Sequence, residues 1–124
     1  MVGVINCGIP INPLTAENQM IGAMIQGASW ALLEHRTLDG NVGTMVNPNL
    51  EAYKLLGPAG MFETVSILVD APNGGNNTAT TGIAEPIFVP TLAAIANAVF
   101  NATGLRLREL PMTPDRVLAA VAGR

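Results

Sequence analysis

Cysteine occurs once in this chain, at Cys7. That excludes an internal disulfide and any cysteine-cluster metal site. Histidine is equally scarce: His35 stands beside Arg36 and reads as a solvated side chain rather than a metal ligand. Aromatic residues make up 4% and charged residues 12%, about half of the roughly 25% charge usual in soluble domains. Acidic residues outnumber basic ones by nine to six, and the net charge is −3. No basic face is available to neutralise phosphates, which argues against a nucleic-acid partner. The longest uncharged run, from Glu85 to Arg106, is interrupted by Pro86, Pro90, Asn97, Asn101 and Gly104. A bilayer-spanning helix needs about 20 predominantly apolar residues, so no membrane partner is expected. No basic segment precedes an apolar run at the N-terminus, so no signal peptide is visible and a cytoplasmic location is favoured. No Gly-rich phosphate loop, Ser/His/Asp set or pair of carboxylates stands out.

What is abundant is small and apolar. Hydrophobic residues reach 49% of 124 residues, a length suited to one domain. A small chain has a high ratio of surface to volume and should need more charge than this. Much of its surface is therefore expected to be covered by something else.

Val2 to Cys7 reads as a strand ended by Gly8-Ile9-Pro10. A long helix is expected from about Thr15 to His35, with Met20, Ile21, Met24, Ile25, Ala28 and Leu32 as its buried stripe. Gly22, Ala23, Gln26, Gly27 and Ala28 lie along that helix, and the small residues suit close approach of another backbone. Leu38 to Asn41 supplies an Asp-Gly turn, and Val42 to Gly60 reads as irregular. Thr64 to Asp70 alternates as a strand with Val65, Ile67 and Val69 on one face. The stretch from Ala71 to Ala84 is an uncharged loop rich in Gly, Asn and Thr. A second helix is expected near Pro90-Thr91, with Leu92, Ile95, Ala96, Val99 and Phe100 inward and Gly104 as its C-terminal cap. Thr113-Pro114-Asp115 opens the last helix, whose apolar residues are Val117, Leu118 and Val121. These elements predict an α+β fold over residues 1–124: a single domain with a long N-terminal helix, short strands and two C-terminal helices.

Three places could carry chemistry. Glu85 is the only charge between Asp70 and Arg106. It reads either as a carboxylate at a helix start, stabilised by the dipole, or as a general base in a poorly charged, desolvating pocket. Gln19 and Gln26 are seven apart on one side of the long helix, placed for a ligand or merely at the helix boundary. Cys7 reads as a buried structural thiol rather than a nucleophile.

The segments V-I-N-C-G-I-P-I-N-P (4–13), N-Q-M-I-G-A-M-I-Q-G (18–27), N-P-N-L-E-A-Y-K (47–54), T-G-I-A-E-P (81–86) and the run from Ala93 to Leu118 occur in an order that carries a resemblance. Together they resemble the C-terminal part of the molybdenum-binding subunit of the xanthine dehydrogenase/aldehyde oxidase family. The resemblance implies a molybdopterin-binding fold and a molybdenum hydroxylase, of which this chain matches only the tail. It implies that Glu85 is the catalytic general base beside the metal, that Gln19 hydrogen-bonds the pterin, and that Gly82 and Ile83 belong to the loop carrying the glutamate. It provides no metal ligand and no FAD or iron–sulfur site within this chain. The sequence departs from the family pattern at Ala84, where Gly is usual, and at Thr81 and Asn18, where Lys and Gly are common. The expected protein is a fragment or small subunit, inactive alone, whose site is completed by a larger molybdenum-binding chain. The alternative is a non-catalytic, self-associating scaffold domain derived from that family.

Overall fold

The computed structural model describes residues 1–71 and 75–123, so residues 72–74 of the expected 71–84 loop lie outside the described residues. The element order is β1 (Val2–Asn6), α1 (Pro13–Leu32), a short 3-10 turn (Pro58–Gly60), β2 (Val65–Val69), α2 (Glu85–Thr103) and α3 (Pro114–Ala122). This is the α+β arrangement the sequence predicts. β1 and β2 form a two-stranded parallel sheet in the register Val2↔Val65 to Asn6↔Val69.

α1 begins earlier than the sequence suggests. The Asn12 side chain accepts from the Thr15 backbone N–H at 3.2 Å, which satisfies one of the orphan donors of the first turn. With the cap in place, Pro13 enters the first turn without losing a needed hydrogen bond. The helix stops at Leu32, so His35 lies beyond it, exposed, with its carbonyl accepting from Asn47 Nδ2 at 2.7 Å. The chain from Thr37 to Val46, partly expected as irregular, is a small hairpin: Leu38 bridges Met45 and Asp39 N–H donates to the Thr44 carbonyl.

α2 starts at Glu85, not near Pro90. Pro86 sits in the first turn, where an N–H is dispensable. Pro90 lies one turn further in, inside the helix, where it has no N–H to offer the carbonyl four residues back. Thr91 Oγ1 donates to the Ile87 carbonyl at 2.9 Å and reinforces that turn. Gly104 caps the other end in the left-handed region, at φ 70°.

The core cluster joins three elements: Ile5 of β1, Met20, Ala23 and Met24 of α1, and Ile87 of α2. Ile83 and Phe88 pack against it. Ile21, Ile25 and Leu32, expected in the buried stripe, are only half-buried. Gly27 meets the Thr91 side chain so closely that an added Cβ would lie 2.7 Å from it. Gly22 meets nothing within 4 Å; only one of the two helix glycines serves close packing.

The sheet has one covered face. Gly3 and Ile5 point inward under α1 and α2, while Val2, Val4, Val65, Ile67 and Val69 stand exposed on the other side. The alternation expected for β2 is present, but its apolar set faces outward. α2 is long and apolar enough to cross a membrane by length and composition, although Ile87 and Thr91 on its inner face are buried in this fold.

Candidate functional site

Glu85, Gln19 and Gln26 meet at one cavity. It has a volume of about 440 Å³ and lies between α1 and the first turn of α2, within the range common for ligand sites. Two helical turns separate the two glutamines, so both point to the side of α1 that faces the start of α2. The cavity is completed by Gly22, Trp30 and Phe88. Trp30 and Phe88 meet edge to face, with centroids 5.0 Å apart and planes at 89°, a favoured aromatic arrangement.

Glu85, Gln19 and Gln26 are all exposed, and none has a hydrogen-bonding partner among the described residues. The desolvated surroundings considered for Glu85 are absent from this chain on its own, because the cavity is open. Ala84 immediately before it has φ −75° and ψ −66°. That is ordinary right-handed backbone, so alanine replaces glycine here without strain.

A neighbouring cavity of about 470 Å³ is lined by Cys7, Ile11, Asn12, Thr15, Gln19 and Ile83, among others. Gln19 borders both spaces. Cys7 is buried, as expected of a structural thiol. Ile83 is half-buried with its side chain against the core cluster. Gly82 is exposed, borders neither cavity and has no atom within 4 Å of the place a Cβ would occupy. The loop leading to Glu85 is anchored upstream: Thr81 N–H donates to the Cys7 carbonyl and Ile9 N–H to the Ala79 carbonyl, each at 2.9 Å. Gly8, at φ 71°, permits that approach.

Sequence reasoning marks Gly22 only for close helix packing, and it does not mark Trp30 or Phe88. The available signal was helical spacing, since Trp30 follows Gln26 by four residues and Phe88 follows Glu85 by three. Elsewhere, the Tyr53 hydroxyl donates to Glu34 Oε2 at 2.7 Å and ties the 41–61 segment to the end of α1. That hydrogen bond to a carboxylate raises the Tyr53 hydroxyl above its ordinary range. No group of three or more His, Cys, Asp or Glu among the described residues is placed to hold a metal ion.

Two unengaged amides on one helix and a carboxylate at the start of another thus border one open groove. Residues 1–61, which carry β1, α1 and Gln19, match the molybdopterin cofactor-binding domain. Over 119 residues, 94% of this chain, the sequence is 36% identical to the xanthine dehydrogenase molybdenum-binding subunit of Escherichia coli O157:H7, of which it spans 16%. It is 37% identical over 119 residues to the aldehyde oxidoreductase molybdenum-binding subunit PaoC of Escherichia coli K12, covering 95% of this chain and 16% of that subunit. Its fold matches quinoline 2-oxidoreductase from Pseudomonas putida 86 with a TM-score of 0.89 at 24% identity, over 99% of this chain and 16% of that one. The chain belongs to the xanthine dehydrogenase/aldehyde oxidase family of molybdenum-binding subunits, and it spans about a sixth of the length of the curated relatives it matches.

Proposed function

We propose that this chain supplies one wall of the molybdenum cofactor site of a hydroxylase, completed by a larger molybdenum-binding chain. The observation that carries this reading is the shared cavity. Glu85 and Gln19 come from different helices, line the same space, and have no partner in the chain that competes for them.

The residues present fit a pterin-bound metal. An amide offers both a donor and an acceptor to a heterocycle edge, and the Gln19 amide is free to do so from α1. Glu85 stands on the first residue of α2, fixed by the packing of Ile83 and Ile87 on either side of it. When bound, the cofactor supplies the two-electron oxidation of a substrate carbon, with the oxygen derived from water. The Glu85 carboxylate takes up the proton released when that oxygen is transferred. Gln19 orients the pterin, and Gly82 and Ile83 belong to the loop that carries the glutamate, with Ile83 holding it against the core. General base catalysis of this kind contributes about 10²–10⁴ in rate. A lone glutamate supplies neither a metal nor an electron acceptor, so no turnover is expected without the larger chain.

The test is reconstitution with the larger chain, followed by assay of wild type and Glu85→Gln for hydroxylation with molybdenum content measured in parallel. A loss of at least about a hundredfold in kcat at unchanged molybdenum content is expected. Unchanged turnover in Glu85→Gln overturns the catalytic assignment. Gln19→Ala is expected to lower cofactor retention rather than the rate per bound molybdenum.

A further inference from the structure

We propose that the larger chain joins this one by adding a strand to the free edge of β1, with an apolar layer closing over the bare outer face of the sheet. This rests on the reading above and specifies where the two chains meet.

Parallel sheets are found almost only with both faces covered, and a pair of strands is not stable by itself. Here the inner face is packed against α1 and α2. The outer face presents Val2 opposite Val65 and Val4 opposite Ile67, all exposed; Val2 is 62% and Val4 56% accessible. The edge is equally open. Val65 N–H donates to the Met1 carbonyl and Thr81 N–H to the Cys7 carbonyl. Odd-numbered residues of β1 therefore spend their backbone groups on the β2 side. The N–H and C=O groups of Val2, Val4 and Asn6 then point the other way, where no strand lies among the described residues. Natural edges are blunted by Lys, Pro or bulges. The β1 sequence V-G-V-I-N has none of these.

Beside that edge runs a groove of about 310 Å³ between β1 and α2, bordered by Val2, Val4, Met24, Pro86, Pro90 and Ala94. No charged side chain lines it. An extended segment added to β1 would lay alternate side chains into this groove and onto the outer face, the two-sided pattern of strand addition. The occupant is set by length: the molybdenum-binding relatives carry about five-sixths of their chain beyond the part matched here. The charge depletion of this chain, 12% overall, is what a segment built against such a body requires. The seam also reaches the site. β1 runs directly into Cys7 and Gly8, which hold residues 79–81 ahead of Glu85.

The probe is the larger molybdenum-containing chain of the same cells, purified separately by its metal content. Hydrogen exchange of this chain, alone and mixed with the probe, is expected to show protection gained at the amides of Val2, Val4 and Asn6, with α3 unchanged. Val4→Pro removes one outward N–H and is expected to weaken association at least tenfold. Val4→Lys, at a side chain already exposed, keeps the fold and is expected to weaken association comparably. Val121→Lys on α3 serves as control and leaves association intact. Association that survives both Val4 variants, with no protection on β1, overturns the seam while leaving the functional reading standing. Failure of the wild-type chain to associate overturns both. Protection of β1 that appears without the probe and rises with concentration assigns the seam to a second copy and overturns the proposed occupant.

Discussion

Gly8 shows how a single residue decides whether the site exists at all. A Cβ placed there would stand 1.8 Å from the Ala79 carbonyl oxygen, in backbone at φ 71°. The left-handed conformation alone costs an ordinary residue about 1–2 kcal/mol, and the clash adds displacement of residues 79–81. Gly8→Ala is therefore expected to destabilise the chain by at least about 2 kcal/mol. Loss of exchange protection at the Thr81 amide should accompany the fall in denaturation midpoint, and an unchanged midpoint would contradict this account. Glu85 behaves oppositely. Being exposed and unpaired, it is expected to tolerate Glu85→Gln within about 0.5 kcal/mol, as measured by thermal unfolding. Any loss of turnover in that variant then reports chemistry rather than folding.

At the scale of elements, the two glycines of α1 separate the roles that composition alone assigns to both. Gly22 faces open space, and Gly22→Ala is expected to stabilise the helix by up to about 1 kcal/mol. Gly27→Ala would press a methyl to 2.7 Å from Thr91 and 3.1 Å from the Phe88 carbonyl, costing about 1–3 kcal/mol as overpacking does. Paired denaturation curves of the two variants, with opposite signs of shift, check this. At the start of α3, hydrogen bonding from the Thr113 hydroxyl, and then from backbone N–H groups, holds the Asp115 carboxyl below its ordinary value of 3.8. A depressed carboxyl contributes stability that is present above the unfolded value and is lost as pH falls through the folded one. Fraying of α3 under acid, absent in Asp115→Asn, is the expected signature by NMR. Local signals revealed these elements: helical spacing for α1, a short apolar run for β1, alternation for β2 and the Thr113-Pro114-Asp115 start for α3. Alternation put Val65, Ile67 and Val69 on one face of β2 without saying which face is buried; in the fold that apolar face is the exposed one. The start of α2 was hidden because Pro86 and Pro90 both look like first-turn prolines. In the site, the spacing of Gln19 and Gln26 was legible, whereas the aromatic wall of Trp30 and Phe88 arises only when two helices cross.

The whole molecule has a lopsided core. Its buried cluster lies between α1, β1 and the first turn of α2, and α3 buries none of its residues. Large aliphatic side chains remain exposed on the sheet, around the start of α1 and along the 38–61 segment, among them Ile11, Leu14, Val42 and Leu50. Surface of that kind is stable in water only at a cost in solubility, and its burial scales at about 25 cal/mol per Å². A partner that covers it binds the folded chain and not the unfolded one. By linkage, the folded state then gains RT ln(1 + [L]/Kd), about 2.7 kcal/mol at a hundredfold excess over Kd. The thermal midpoint of this chain is thus expected to climb steadily with the concentration of the larger chain, with no plateau at stoichiometric addition. Because the covered face is apolar, the association should also carry a negative heat-capacity change. Titration calorimetry at several temperatures, run beside thermal melts over the same concentrations, measures both. A midpoint indifferent to the larger chain would mean that the bare sheet is tolerated rather than used.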